Sequence, residues 1–445
     1  MKQENTNPVI QKEIEMRTNR NPAPVRTHEG AVAKRINAEQ ELRRSVMSCM
    51  LWEKTFYEDG ESIADRIASL VPKVQGTKVR TLAVKARQEM KLRHAPLWLA
   101  VAMAKCGSLR AEILAMIIQR ADELTEFLSL YWLNGKCPLS GQVKKGLALA
   151  FRKFDAYSLA KYNRPSAIKL RDVLFLCHAK PKDAEQAATW KQLIDGTLAS
   201  PDTWEVGLSG GGDKKETFTR LLKEKKLGGM ALLRNLRNMA DVKVDSSLVC
   251  ESLAEMNTDR ILPFRFIAAA RHAPQWESAI EDALFRSLAE APKLSGTTVL
   301  LVDVSGSMTS PLSDKSDMTR MDAACGVAIC AREMCEDVRI YGFSTDCKRV
   351  PSRRGFALRD AISSSCDWAS TYLGKAVKKV NADGSYDRII VITDEQSYDI
   401  IPNPTDKGYV INVASYQNGI GYGAWTHIDG FSEAVLKYIV ASEAL

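Results

Sequence analysis

The sequence predicts an α-helical array of HEAT-like repeats followed by one doubly wound α/β domain. From about residue 25 to 293, short amphipathic helical segments are separated by short breakers such as Pro72, Pro96 and Gly228-Gly229. Long strands with alternating polarity are absent there. From about residue 294 onward, apolar strand-like runs alternate with helical segments, which is typical of parallel strands joined by crossover helices.

The helical part is the longer of the two. Short helices joined by short turns over about 270 residues predict stacked helix pairs, an α-solenoid. No clear sequence period is visible, so an irregular helical bundle remains an alternative. Residues 1–24 are polar and contain Pro8, Pro22 and Pro24, which indicates a flexible or loosely docked arm.

The C-terminal part, residues 294–445, is expected to be one compact α/β domain. The strand predictions are Val299–Val302, Val338–Phe343, Ile389–Ile392 and Tyr409–Ala414. The boundary falls at residues 293–296 without a long linker, so the two parts are expected to touch.

Polar side chains follow two of these predicted strands. The first strand runs directly into Asp303, and Ser305 and Ser307 come next with a glycine between them. Thr371 opens a later helical segment, and Asp394 follows another buried strand. The carboxyl ends of parallel strands meet at one edge of a sheet, so these residues are expected to gather there. Carboxylate and hydroxyl oxygens suit a hard cation; a simple Ser/Gly turn with Asp303 as a helix cap is the alternative.

This arrangement resembles the metal-ion-dependent adhesion site of von Willebrand factor A domains. The family pattern is Asp-x-Ser-x-Ser, then a distant Thr and a distant Asp, which here are Asp303, Ser305, Ser307, Thr371 and Asp394. The resemblance implies that Ser305, Ser307 and Thr371 coordinate the ion directly and that the carboxylates act mostly through water. The cation expected is Mg²⁺, with Mn²⁺ possible.

Charge is divided unevenly between the two parts. Residues 1–290 carry about +11 and residues 291–445 about −3, for a net charge of +8. A basic part beside a nearly neutral one favours a polyanion as partner of the first. Ordinary solubility is the alternative explanation.

Two groups of residues in the helical part are candidates for RNA contact. Arg80, Arg87 and Lys91 are spaced to share one stripe of a helix predicted over 78–94. A denser patch interleaves cations with an aromatic ring and an imidazole, which could hold phosphates and stack on unpaired bases. Its members are Lys161, Tyr162, Arg164, Arg171, His178 and Lys180. For single residues the alternatives are a solvated face, a core position for Tyr162, and a helix C-terminus for His178.

The helical part also resembles the TROVE module of the Ro ribonucleoprotein family. The segments that carry the resemblance are 54–60, 159–162, 169–174, 178–181, 203–205, 231–238 and 427–432. The order of a TROVE module (residues 25–293) before an A domain (residues 294–445) is the order of that family. By position, Lys161 and His178 match family RNA contacts, whereas Pro165 occupies the place of an expected arginine and Arg164 lies one residue away.

The resemblance implies a helical ring closed by the A domain. Such a protein would bind small structured Y-type RNA on its outer surface and single-stranded 3′ ends of misfolded RNA in a basic central hole, for RNA quality control. A ribonuclease or another protein is a possible partner of the A domain. We expect a cytoplasmic monomer without a membrane association, since no signal peptide or membrane span is predicted.

Two other classes of function stay open at this stage. One is a protein-interaction module whose metal accepts a partner's carboxylate. The other is a metal-dependent phosphohydrolase built on Asp303 and Asp394. Against an enzyme, the five histidines show no triad or metal spacing, and the glycine-rich segment 210–214 lacks the spacing of a phosphate-binding loop.

Overall fold

The computed structural model describes residues 24–47, 60–209, 211–259, 261–291, 293–313, 316–414, 416, 418–431 and 434–443. The arm expected over residues 1–24, apart from Pro24, lies outside the described residues, as does segment 54–59. No helix in the described ranges has the length and hydropathy needed to cross a membrane.

The first part of the chain is helical, as predicted. Its α-helices are Ala38–Met47 (α1), Gly60–Leu70 (α2), Gly76–Gln88 (α3), His94–Lys105 (α4), Ala111–Ile117 (α5), Asp122–Tyr131 (α6), Gly141–Phe151 (α7), Ala156–Tyr162 (α8), Leu170–Cys177 (α9), Ala184–Asp195 (α10), Trp204–Ser209 (α11), Lys214–Lys223 (α12), Gly229–Asp241 (α13), Ser246–Glu255 (α14), Pro263–His272 (α15) and Glu277–Leu288 (α16).

Local sequence signals set where several of these helices begin. Helices α8, α10, α12 and α14 each follow an aspartate whose side chain accepts a hydrogen bond from a backbone N–H in the first turn. These aspartates are Asp155, Asp183, Asp213 and Asp245. Each helix then packs mainly on helices within a few positions along the chain, which is the pattern of a stacked array.

The second part is a six-stranded sheet flanked by helices. The strands are Leu294–Asp303 (β1), Cys335–Phe343 (β2), Cys347–Arg349 (β3), Arg388–Thr393 (β4), Lys407–Asn412 (β5) and Thr426–Asp429 (β6), and the helices are Arg320–Met334 (α17), Gly355–Ser363 (α18), Leu373–Ala382 (α19) and Ala434–Glu443 (α20). The order across the sheet is β3-β2-β1-β4-β5-β6, and every pair is parallel except β2 with the edge strand β3.

Strand β1 lies in the middle of this sheet, with β2 on one side and β4 on the other. Every residue of β4 and the last six of β1 are buried, as expected for strands covered by helices on both faces. The chain order reverses between β1 and β4, so the gap beyond their carboxyl ends is the switch point where doubly wound sheets bind ligands.

The α/β domain contacts α1 of the array through a buried network of charges. Arg44 of α1 forms an ion pair with Glu395 and donates from Nε to the Tyr416 carbonyl at 2.5 Å. Glu395 also contacts His427, at 2.8 Å from Nδ1, and the other imidazole nitrogen lies 2.7 Å from Asp429. These four side chains are at most 1% exposed.

The last helices of the array contact the same domain at a second place. Phe264 of α15 meets Phe431 edge to face with 5.3 Å between ring centroids, and Glu281 of α16 accepts a hydrogen bond from the Phe356 N–H at 2.6 Å. Because both ends of the array hold the same α/β domain, the chain closes into a ring.

Candidate metal centre and nucleic-acid interface

The two aspartates predicted as metal ligands lie at the switch point of the sheet. Asp303 is the last residue of β1 and Asp394 directly follows β4, and neither carboxylate is exposed. Asp303 accepts hydrogen bonds from the Ser305 N–H at 2.9 Å and from the Thr393 hydroxyl at 2.6 Å. The turn after β1 is therefore fixed by the carboxylate that ends the strand.

The hydroxyls of the predicted set extend from this turn. Ser307 donates from Oγ to Asp394 at 2.7 Å, and its Oγ lies 3.3 Å from that of Ser305. The segment that carries Thr371 is held beside this turn by a hydrogen bond of 2.9 Å from the Gly306 N–H to the Ala369 carbonyl. The structure thus gathers all five predicted residues at one edge of the sheet.

An arginine that the sequence analysis missed contributes to this cluster. Arg320, the first residue of α17, donates to Asp394 at 3.1 Å, and its side chain is 1% exposed. Burial and the neighbouring charge of Asp394 raise the pKa of Asp303 to about 7. Two buried carboxylates beside one guanidinium leave a surplus of negative charge that a divalent cation would neutralise.

The donors therefore fit a hard cation, although they supply few carboxylates. In the described part of the chain, no three His, Cys, Asp or Glu side chains are grouped so that they could hold a metal ion. A cation at this edge would depend on Ser305, Ser307 and Thr371 for ligands besides the two aspartates. Hydroxyl and carboxylate oxygens are ligands that Mg²⁺ and Mn²⁺ accept.

The predicted stripe of Arg80, Arg87 and Lys91 is wrong in part. Helix α3 ends at Gln88, so Lys91 is not on the helix, and it has a positive φ of 57°. Arg87 is buried and pairs with Glu123 at 2.6 Å, so it is unavailable to RNA. Arg80 is half-buried and donates to the Ser108 carbonyl at 3.0 Å. The spacing of these cations wrongly predicted one exposed stripe, because buried arginines can follow the same helical spacing as exposed ones.

The second predicted patch is largely on the surface. Lys161 and Tyr162 end α8, and Arg164 follows in an exposed loop. Arg171 lies on α9, and His178 caps that helix in the left-handed conformation with φ 50°. Arg171, His178 and Lys180 are all exposed. The Lys180 carbonyl accepts a hydrogen bond of 2.7 Å from Arg152, which fixes the backbone beside the imidazole.

Tyr162 is the member of this patch least open to a base. Its ring is half-buried against the core, and the guanidinium of Arg120 lies 4.8 Å from the ring centroid. A cation at that distance stacks favourably on an aromatic face. One face of the ring is therefore already covered.

Sequence reasoning missed an aromatic groove beside His178. The groove has a volume of about 580 Å³ and is lined by Trp132, Lys136, Lys144, Phe175 and His178 among others. Phe175 is 58% exposed, although it lies in an apolar helix. Its position could have been found from helical spacing, because Leu170, Val173, Leu174 and Cys177 form the buried face of α9 and Phe175 falls outside it.

Comparisons with known proteins agree with this architecture. The TROVE domain family model matches residues 196–287. The crystal structure of the Ro (RSR) protein of Deinococcus radiodurans is similar to the chain with a TM-score of 0.59 and 18% identity, covering 91% of this chain and 99% of that one.

A weaker match is an aerotolerance-related membrane protein from Bacteroides fragilis, with a TM-score of 0.21 and 16% identity over 26% of this chain and 66% of the other. That similarity is too low to indicate a shared fold. No curated protein sequence matches the chain significantly.

Proposed function

We propose that this chain is a non-catalytic RNA-binding scaffold of a ribonucleoprotein. The match of the TROVE domain model to residues 196–287 and the fold shared with the Deinococcus radiodurans Ro protein support this proposal. The observation that carries the proposal is the surface formed by residues 161–180. Its exposed side chains include three cations and one aromatic ring, those of Arg164, Arg171, Lys180 and Phe175. Polyanion binding there is driven by phosphate neutralisation and weakens with salt.

Different side chains in this segment contact different parts of the RNA. Lys161, Arg164 and Lys180 contact phosphates. His178 and Phe175, at the rim of the aromatic groove, stack on unpaired bases, since stacking tolerates any base. Arg171, exposed on α9, adds a further cation between the two groups.

We further propose that the RNA bound on this outer surface is a small structured non-coding RNA of the Y type. Arg164 replaces the arginine expected at the position of Pro165. Single-stranded 3′ ends of misfolded RNA enter the opening enclosed by the ring, in the service of RNA quality control in the cytoplasm. Both finer assignments rest on the family resemblance.

The edge of the sheet is proposed to hold Mg²⁺, with Mn²⁺ as an alternative. Asp303, Ser305, Ser307, Thr371 and Asp394 would hold the ion. When bound, such a cation offers an open coordination position to a carboxylate of another molecule. The surplus negative charge of the two buried aspartates beside Arg320 supports this assignment.

A protein partner at this edge is a second candidate function, compatible with the first. Exposed apolar side chains surround the site: Trp368 is 62% exposed, Tyr398 45% and Ile400 72%. Tyr372 stacks on Tyr398 with 5.6 Å between ring centroids. Exposed aromatic residues beside an acceptor site are typical of protein interfaces, and a ribonuclease is one partner that would fit an RNA-processing role.

RNA binding is tested with the double variant Lys161→Ala, His178→Ala. Fluorescence anisotropy with a labelled structured RNA should show a loss of affinity of about tenfold or more, because a phosphate contact and a stacking contact are removed together. Lys191→Ala is the charge-matched control, since Lys191 is exposed on α10 and pairs with Asp195 of the same helix. Wild-type affinity in the double variant would show that the assigned surface is wrong.

The metal is tested with Asp303→Ala. Calorimetric titration with magnesium chloride should show no uptake, whereas RNA binding should persist because the two sites share no residue. Loss of both would mean that the cation holds the fold together. Turnover of a nucleotide or RNA by the pure protein, dependent on the metal, would favour the phosphohydrolase instead.

A further inference from the structure

A groove between α13 and α15 collects arginines that neither proposed site uses. Its volume is about 290 Å³, and its lining consists of Met230, Leu233, Arg234, Arg237, Arg265, Ala268, Ala269, His272 and Asp317. The helical residues are spaced by three or four, so they form one face of each helix. Asp317 comes from the loop that precedes α17, so the groove is shared between the helical array and the α/β domain.

The three arginines of the groove lack the partners that other arginines have. Buried arginines elsewhere in the described residues pair with carboxylates, as in Arg44–Glu395, Arg87–Glu123 and Arg388–Glu443. Among the same described residues, no carboxylate lies within 4.0 Å of the guanidinium nitrogens of Arg234, Arg237 or Arg265. Arg234 and Arg237 are exposed and Arg265 is half-buried.

Arg265 is the member of the group whose position is most constrained. Its guanidinium carbon lies 4.9 Å from the centroid of the Phe264 ring, a stacking contact that favours one orientation. Burial, together with the nearby charge of Arg234, lowers the pKa of Arg265. A partly desolvated cation beside a second one is a place where an anion is stabilised.

The rest of the groove offers an anion both space and surroundings of low dielectric constant. Ala268 and Ala269 keep the α15 side open, and Met230 and Leu233 present apolar surface from α13. At ~30 Å³ per water molecule, the volume corresponds to about ten waters, enough for a phosphate group with an attached sugar. Apolar walls strengthen each charge–charge contact inside the groove.

The carboxylate of Asp317 is held at the groove by a histidine. His272 Nε2 lies 2.8 Å from Asp317 Oδ2, and this hydrogen bond lowers the pKa of the Asp317 carboxyl. Asp317 is 68% exposed at its side chain, so water screens most of its charge. An incoming anion would be repelled by it, and would compete with it for His272.

We propose that this groove binds a phosphate group, with Arg234, Arg237 and Arg265 donating to the phosphate oxygens. A guanidinium presents a fork of N–H donors that matches phosphate geometry. The phosphate belongs either to a single-stranded RNA or to a small free anion. The inference does not depend on the surface formed by α8 and α9, because the groove shares no residue with it.

The test uses the full chain with two probes, inorganic phosphate and a labelled short oligouridylate, at low ionic strength. The double variant Arg234→Gln, Arg265→Gln should bind both probes about tenfold or more weakly, since two charge-assisted contacts are lost. Arg220→Gln is the matched control, because Arg220 is exposed and already pairs with Asp202. Should the double variant not fold, Arg234→Gln with Arg237→Gln replaces it, since both of those side chains are exposed.

A second variant has the opposite expected sign. Asp317→Asn removes a negative charge from the rim and should tighten binding of both probes by roughly twofold to fivefold, the size expected for one screened charge. A purely structural role of the arginines would not produce this gain.

The pattern of losses identifies the source of the phosphate. Weaker binding of both probes to the double variant supports an RNA phosphate, and weaker binding of inorganic phosphate alone supports a small anion. Unchanged binding of both probes by a folded double variant overturns the inference. The variant Lys161→Ala, His178→Ala should retain wild-type affinity for inorganic phosphate, so failure of the RNA surface and failure of the groove are separable.

Discussion

The two proposed sites use charge in opposite ways. At the edge of the sheet, Asp303, Asp394 and Arg320 are buried and face one another. On the helical array, Arg164, Arg171 and Lys180 are exposed. Among the described residues, the one carboxylate within 4.0 Å of these three cations is that of Asp172, beside Arg171. Buried charges of opposite sign pair with each other and hold their side chains in place. Exposed positive charges without close carboxylates can bind a polyanion. Substitutions should therefore affect stability at the first site and affinity at the second.

The largest expected effect is the loss of stability in Asp394→Ala. The substitution removes the carboxylate that pairs with the buried Arg320 guanidinium, which should lower the free energy of unfolding by about 3–5 kcal/mol in urea denaturation. Adding Arg320→Met should recover part of the loss, because both charges are then gone. The control is Asp346→Ala, since Asp346 is 66% exposed in its pair with Lys375, and it should change stability by less than about 1 kcal/mol.

Arg87 and Lys91 test the same contrast within the helical array. Arg87→Met removes the guanidinium that pairs with the fully buried Glu123. It should lower the free energy of unfolding by about 3 kcal/mol, near the lower end for a broken buried pair. Lys91→Met should change the free energy of unfolding by no more than about 0.5 kcal/mol. Equal effects in chemical denaturation would contradict the assignment of Arg87 to the core.

The buried network that joins α1 to the α/β domain should make stability depend on pH. Burial lowers the pKa of His427, but Asp429 and Glu395 outweigh it and raise the pKa to about 9. Because the pKa of His427 is higher in the folded protein than in the unfolded chain, the protonated imidazole stabilises the fold. This stabilisation is fully present below pH 6.5, about the pKa in the unfolded chain, and it is lost as the pH rises through about 9.

The expected loss over that range is about 3 kcal/mol, at 1.36 kcal/mol for each unit by which the pKa of His427 is raised. Urea denaturation at intervals from pH 6 to about pH 9.5 measures it. The variant His427→Gln should show a much flatter profile over the same range. A wild-type profile that rises with pH would mean that the imidazole is neutral in the folded protein.

The smallest expected effect on stability, and a clear one on binding, belongs to Lys161→Ala. The free energy of unfolding should stay within about 0.5 kcal/mol of wild type. In a salt titration of RNA affinity, the slope of log K against log salt should fall by roughly 0.7–0.9, which corresponds to one phosphate contact. An unchanged slope would place Lys161 away from the RNA backbone.

The same contrast explains what the sequence could predict. The proximity of Asp303 and Asp394 was predictable because Asp303 ends β1 and Asp394 directly follows β4, the neighbouring strand. The carboxyl ends of parallel strands bring distant residues together. The helical array was predictable from spacing and breakers. The strand predicted over Ile389–Ile392 lies within the observed β4, Arg388–Thr393. In contrast, the short strands β3 and β6 carry too few residues for a periodic signal.

The surface of the array was harder to predict for a physical reason. Whether an arginine faces solvent or a buried glutamate depends on contacts between helices. Arg87 of α3 pairs with Glu123 of α6, three helices further along the array. Arg320 was missed because it is separated in sequence from Asp394 by more than seventy residues. The groove of Arg234, Arg237 and Arg265 likewise exists only once α13 and α15 pack together.

Ultraviolet crosslinking of bound structured RNA to the full chain, followed by peptide mapping, tests the proposed function most directly. Crosslinks should concentrate in residues 156–181, with His178 and Phe175 among the modified positions, and they should persist in Asp303→Ala. Crosslinks confined to the α/β domain would contradict an RNA surface carried by the helical array.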